Sequence, residues 1–301
     1  MDNISKKVIN GQALLPKEWK QLLLNFHKLN TGVTHEIFKK FKNQHGHNTY
    51  ELICNEIKVA STKKIKILDI ACGNGVISQY CLDKAKLNLE YIGIDISKHQ
   101  IELAKSKYGR KNIEFRVEGS GEMSFNNLQF DYVVCHLAFM LLNPVDKTLN
   151  QIERVLKNNG YFIAIVNSRK VKDELLRKMM VLVGQFIKSK YPDFGIKNGG
   201  NSKTYDKDGL ESLLKEFATL SKNIEVIELE LEGRMTSIEF WEFLSSSYNL
   251  FCFPQNYVKE LKEIVLKKLN NIKTEENYFK ITYPFNLYKI QKIKDVNLLT
   301  E

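Results

Sequence analysis

Five short apolar runs, Ile65–Ile70, Leu89–Asp95, Ile113–Val117, Phe130–Cys135 and Tyr161–Val166, alternate along the chain with longer segments whose apolar positions recur at helical spacing. Runs without strict apolar-polar alternation are those of strands buried on both faces. Strands separated by a helix of about a dozen residues pair in parallel, because only a long crossover returns the chain to the same end of a sheet. The pattern therefore predicts a largely parallel sheet with helices on both faces. The helices are expected after the first run to about Lys84, and over Lys98–Tyr108 and Lys147–Lys157.

The flanks read as helical. Leu22, Leu23 and Phe26, then Ile37, Phe38 and Phe41, mark two or three helices before residue 60, and Asn48 or Thr49 supplies an N-cap for another. Beyond residue 170 helices are expected over Val171–Lys188, Asp206–Leu220, Ser237–Asn249 and Gln255–Asn270, with strands at Glu225–Leu231 and Tyr278–Ile290. No internal repeat is visible.

Composition narrows the functional classes. With 43% hydrophobic and 27% charged residues the chain can bury a large core and is not a disordered one. No apolar run approaches the roughly 20 residues that span a bilayer; the longest, Val133 to Leu142, is broken by His136, and the first dozen residues are too polar for a secretory leader. The five cysteines, Cys54, Cys72, Cys81, Cys135 and Cys252, show no CxxC spacing, so neither a disulfide framework nor a zinc site is expected and a reducing cytoplasm fits. The net charge of +10 raises nucleic acid as a partner, but the lysines are spread along the chain with only short clusters, Lys63-Lys64-Lys66 and Lys267-Lys268, which reads as a solvated surface.

The sharpest local feature is Asp69-Ile70-Ala71-Cys72-Gly73-Asn74-Gly75, a glycine turn between the first strand and its helix. Such a turn lets backbone approach a ligand closely and presents the N–H groups of a helix start. Asp95 follows Gly75 by twenty residues, at the end of the second strand, where a carboxylate can accept both hydroxyls of a ribose. A nucleoside ligand follows. A dinucleotide site would need a third glycine where this chain has Ser78, and Asp69 would sit badly beside a pyrophosphate while it suits a cationic amino group.

Four segments in order, LDIACGNG, IGIDIS, FDYVVCHLAFMLL and IERVLKNNGYFIAIV, resemble successive motifs of class I S-adenosylmethionine-dependent methyltransferases, especially the branch of ubiquinone and menaquinone methyltransferases, over about residues 50–167. The resemblance implies an α/β fold, a Rossmann-like doubly wound sheet, mostly parallel with an antiparallel last strand. It implies an N-terminal helical cap over 1–60 and a catalytic domain over 61–301 with a helical lid insertion at about 234–272.

Carried over residue by residue, the resemblance sets Asp69, Ala71, Cys72, Gly73, Asn74 and Gly75 around the methionyl part of the cofactor, Asp95 on the ribose, Ile96 and Gln100 near the adenosine, and Tyr50 near the methionyl carboxylate. Relatives often carry Gly-Asp-Ala-Glu after the third strand, with its acidic residue on the adenine amino group; here Gly119-Ser120-Gly121-Glu122 departs from that pattern and offers Ser120 instead. Cys135, His136 and Leu137, followed by Phe139 and Met140, are the expected floor where cofactor and acceptor meet, with His136 the candidate acid or base. Cys135 has no evident activating partner and is not expected to be a nucleophile. Trp241, Tyr248 and Phe251 are the expected pocket wall on the lid.

The reading is therefore an S-adenosylmethionine-dependent transferase acting on a small molecule, yielding S-adenosylhomocysteine, without a metal, as a monomer or homodimer, with neither a membrane nor nucleic acid as its expected partner. Two rivals stand beside it: a ribosomal or transfer RNA methyltransferase, and a nonenzymatic binder of the same cofactor. Asn143-Pro144-Val145-Asp146 faintly resembles the Asn-Pro-Pro-Tyr motif of enzymes that methylate nucleic-acid amino groups but lies beyond the fourth strand, where it reads as a helix start. His45-Gly46-His47 reads as a polar loop.

Overall fold

In a computed structural model, which describes residues 1–58, 64–85, 89–272 and 277–294, seven strands form a sheet. They are β1 (Ile65–Ile70), β2 (Leu89–Asp95), β3 (Ile113–Val117), β4 (Phe130–His136), β5 (Leu156–Asn167), β6 (Ile224–Met235) and β7 (Phe279–Gln291), in the spatial order β3-β2-β1-β4-β5-β7-β6. Strands β1 to β5 run parallel and β7 is antiparallel to β5. This is the mostly parallel sheet expected of the alternating pattern, in the Rossmann-like form with an antiparallel last strand that the resemblance implies.

By compactness the chain divides into two units, each described by itself. One comprises His47–Arg169, Gly200–Leu229 and the residues from Phe285 onward. It holds β1 to β5 and the crossover helices α5 (Val76–Ala85), α6 (Lys98–Tyr108) and α7 (Val145–Val155), together with α4 (Thr49–Asn55) and α9 (Lys207–Leu214). Residues Leu68, Ile70, Val133, Val134, Ile163 and Ala164 have no or almost no exposed surface, as strands covered on both faces require. In α7, Val145, Leu149, Ile152 and Val155 are buried at spacings of three and four, so one stripe faces the sheet.

The other unit comprises Met1–Gly46, Lys170–Gly199 and Glu230–Pro284. It contains α1 (Asn3–Ile9), α2 (Pro16–Leu29), α3 (Val33–Phe38), α8 (Glu174–Lys190), α10 (Ser237–Ser245), α11 (Tyr248–Cys252) and α12 (Gln255–Asn270). Aromatic rings hold it together: Phe41 lies 5.5 Å from Phe243 and 5.6 Å from Tyr283, and Lys42 and Glu232 exchange backbone hydrogen bonds of 2.9 Å. Between β6 and β7 the chain forms α10 to α12. The expected boundary near residue 60 falls among residues 59–63, outside those described.

Four helices differ in extent from the periodicity, and the one expected over Val171–Lys188 runs Glu174–Lys190. The helix expected over Ser237–Asn249 is broken into α10 and α11, because the Ser247 hydroxyl accepts the Leu250 N–H and starts a new cap. The helix expected to Leu220 stops at Leu214. The one expected to Lys157 ends at Val155, and Lys157 is drawn into β5, where its ammonium lies 2.7 Å from Asp131.

Candidate functional site

The chain leaves β1 toward β2 and β3 on one side and reaches β4 and β5 on the other, so β1 and β4 flank the point where the winding reverses. Helices diverge there, and the crevice beyond the carboxyl ends of the two strands is the place such sheets bind ligands. In register, Asp69 stands opposite Gly93 on β2 and Val134 on β4, and His136 stands opposite Ile165 on β5. Side chains alternate between the faces of a strand, so Asp69, Asp95 and His136 project from one face at three neighbouring strand tips.

Between β1 and α5, Ala71, Gly73 and Gly75 all take positive φ, of 56°, 54° and 80°. A side chain added at Gly73 would meet no atom within 4 Å, so the turn presents bare backbone to open space there. At Gly75 the reason is packing: a Cβ would lie 2.7 Å from Phe115 Cζ. Ser78, in the place of a third glycine, donates its hydroxyl to the Gly75 carbonyl at 2.6 Å and is fully buried. Gly75→Ala combines left-handed strain with overpacking and is expected to cost about 2–4 kcal/mol of stability in chemical denaturation; a midpoint equal to wild type rejects that account.

Asp95 organises the turn. Its carboxylate accepts the Gly73 N–H at 3.0 Å and the Ser97 N–H at 2.8 Å, while Cys72 N–H reaches Ile94 C=O at 3.0 Å. Burial raises its pKa despite those two backbone donors. Each carboxylate oxygen keeps a further lone pair for an incoming hydroxyl.

Asp69 is 1% exposed, and Tyr91, on the same face of β2, donates its hydroxyl to one oxygen. The other, Oδ1, is buried and finds no hydrogen-bond partner among the described residues. Burial above all raises the pKa of Asp69 to about 7, against the bond from Tyr91 and with help from the nearby charge of Asp95. A buried carboxylate with a vacant oxygen is a receptor for a cation. The thiols of Cys72 and Cys135 are pushed well up by burial and by these carboxylates, so neither is a nucleophile at neutral pH.

At the tip of β4, His136 Nε2 lies 2.9 Å from the Thr49 hydroxyl and its ring centroid 4.0 Å from that of Tyr50, which in turn stacks on Tyr80 at 5.7 Å. The capping of α4 makes this possible. Asn48, not Thr49, is the N-cap: its Oδ1 accepts from Tyr50 N and Glu51 N, which leaves the Thr49 side chain to face His136. Leu137 turns with φ 52° and its N–H reaches Ile165 C=O at 2.7 Å; Phe139 and Met140 follow in a buried 3-10 turn, with Met140 C=O accepting from Asn201 N at 3.0 Å.

Of the other residues singled out by sequence, Gln100 is buried in the first turn of α6, beyond Ile96 and the Ser97 cap. Ser120 has its hydroxyl 2.9 Å from that of Thr148, Gly121 lies beside Lys147, and Glu122 is exposed. Trp241, Tyr248 and Phe251 belong to the helical unit. Trp241 is 5% exposed, Tyr248 packs at 4.5 Å from Phe26 and 5.5 Å from Trp19, and Phe251 lies 5.3 Å from Phe26. Asn143-Pro144 precedes α7, as a helix start should. No cluster of metal-ligating side chains occurs among the described residues. Sequence reasoning missed Tyr91, whose only signal was its even spacing from Asp95 along a strand, and the role of Thr49.

The family model described as "Methyltransferase domain" matches residues 61–204. The ubiquinone biosynthesis O-methyltransferase of Pelagibacter ubique is 29% identical over 56% of this chain and 67% of its own length. The ubiquinone/menaquinone biosynthesis C-methyltransferase of Rickettsia prowazekii is 31% identical over 46% of this chain and 58% of its own length. Among solved structures, phosphoethanolamine N-methyltransferase 2 of Haemonchus contortus, in complex with S-adenosylhomocysteine, superimposes with a TM-score of 0.53 at 18% identity, covering 92% of this chain and 60% of that one. That last likeness is one of fold.

Proposed function

We propose, from the match to a methyltransferase domain and to methyltransferase relatives, that the chain is a class I S-adenosylmethionine-dependent methyltransferase that transfers the methyl group of S-adenosylmethionine to an oxygen, nitrogen or carbon of a small acceptor. The observation that carries the reading is the buried, unpartnered Oδ1 of Asp69 beside an open glycine turn and the carboxylate of Asp95. An α-ammonium supplies what Asp69 lacks, and a ribose diol fits the remaining lone pairs of Asp95. The residues present fit the cofactor, with Ala71 to Gly75 along its methionyl chain, Ile96 and Gln100 beside the adenosine, and Ser120 to Glu122 at the adenine. When bound, the sulfonium supplies an electrophilic methyl group.

The protein's own task is to hold an acceptor in line with that methyl and to exclude water. His136 takes the proton of a hydroxyl or amine acceptor, its ring oriented by Thr49 and Tyr50. Phe139 and Met140, in the buried turn after His136, line the acceptor side. The biosynthetic relatives, named for ubiquinone and menaquinone, support a small acceptor. No helix among the described residues is long and apolar enough to cross a membrane, and all five cysteines are buried thiols, which suits a reducing compartment such as the cytoplasm.

Incubation with methyl-labelled cofactor and a metabolite extract should move label into the small-molecule fraction. Cofactor binding without any transfer would leave a nonenzymatic binder, and label in RNA would favour the nucleic-acid rival. His136→Gln is expected to slow turnover by about 10²–10⁴-fold while S-adenosylhomocysteine affinity stays at the wild-type value; an unchanged rate demotes His136 to packing.

A further inference from the structure

The strand tips carry one polar side chain that none of these roles uses. Asn167 closes β5, two residues beyond Ile165, the register partner of His136. Alternation along the strand therefore puts Asn167 on the same face as His136, Asp69 and Asp95, so that the tips of β2, β1, β4 and β5 present a continuous polar row. Its backbone is secured by pairing with Phe285 on β7. Its side chain is not: Oδ1 is buried and finds no hydrogen-bond partner among the described residues.

Buried amide oxygens almost always have partners, and one left without is a standing cost to the fold. A ligand that arrives with a donor removes it. The methionyl ammonium cannot serve, because Asp69 on β1 claims it and β4 lies between, a separation of about 10 Å at the usual strand spacing. The sequence of positions from β1 across β4 to β5 runs from the cofactor's amino group past the candidate base toward the far side, where an acceptor in line with the methyl has to lie.

We infer, on the methyltransferase reading above, that Asn167 is a specificity residue whose amide oxygen accepts a hydrogen bond from an O–H or N–H of the acceptor other than the proton that His136 removes, which makes the substrate class a small molecule bearing a further hydroxyl or N–H beside the methylated group. Fully capped ethers and tertiary amines leave the oxygen unpaired and are discriminated against.

The test uses protein saturated with S-adenosylhomocysteine and three probe pairs followed by NMR titration: phenol and anisole, aniline and N,N-dimethylaniline, 1-butanol and methyl butyl ether. In wild type the donor member of at least one pair is expected to bind about tenfold more tightly than its capped partner, the worth of one hydrogen bond. In Asn167→Leu the preference should fall to within about twofold, with S-adenosylhomocysteine affinity kept and the thermal midpoint at or above wild type because the unpaired amide is gone. Should the leucine variant fold poorly, Asn167→Ala serves the same comparison. No donor preference in any pair, or a preference that survives both variants, overturns the inference. Failure of wild type to bind S-adenosylhomocysteine, read before any probe is added, overturns instead the function on which it rests.

Discussion

Asp95→Ala is expected to weaken S-adenosylhomocysteine binding by about a hundredfold or more, because two effects coincide. The variant loses the charge-assisted acceptor proposed for the ribose, and such bonds are worth about 1.5–3 kcal/mol each. It also releases the Gly73 and Ser97 N–H groups, which Asp95 holds at 3.0 and 2.8 Å, so the turn proposed to receive the methionyl chain loses its anchor. Asp95→Asn separates the two contributions: its amide oxygen can keep one backbone bond but not both while also meeting a diol. Calorimetry on the three proteins measures this, and equal affinities would remove the carboxylate from the site.

Asp69→Asn should act with opposite signs on stability and on binding. The folded-state pKa of Asp69, about 7, lies above the ordinary value of 3.8, so between these limits the folded chain binds more protons than the unfolded one. Stability is then present below pH 4 and is lost as pH rises through about 7, by an amount on the order of a few kcal/mol. An asparagine cannot ionise, so the variant should match wild type near pH 4 and exceed it near pH 8 in ligand-free denaturation curves. Cofactor binding reverses the preference. In the proposed site the ammonium pairs with the charged carboxylate, so wild-type affinity should rise with pH through 7, whereas the variant should bind about 10–100-fold more weakly at pH 8. A wild-type affinity flat from pH 5 to 8 would show that Asp69 does not face the cation.

These two carboxylates also show how much of the site was legible before the fold. Asp95 could be located because a strand period of two and a helix period of 3.6 place strand ends within a residue or so, and because twenty residues is one helix and one strand beyond the glycine turn. Asp69 was visible as an acid next to glycines, but that it is starved of a partner was not. Tyr91 becomes its donor only through the pairing of β1 with β2, and no spacing along the chain encodes which oxygen is left over. The sequence left Asn48 and Thr49 as equal candidates for one cap; the structure uses Asn48 and thereby leaves Thr49 to His136. Asn167 lies one residue beyond the expected end of the fifth strand at Val166, and nothing in the sequence sets it apart.

What the amino-acid order alone determined was the alternation of buried strands and amphipathic helices, the positive-φ turn at Gly73 and Gly75, and hence a parallel sheet with a crevice at its carboxyl end. Those follow from near-neighbour sterics and from the period at which apolar residues recur. Only the tertiary structure decided which polar atoms are paired inside the protein and which, like Asp69 Oδ1 and Asn167 Oδ1, are withdrawn from water with no partner among the described residues, because that depends on register between strands distant in the chain and on how completely their neighbours exclude solvent.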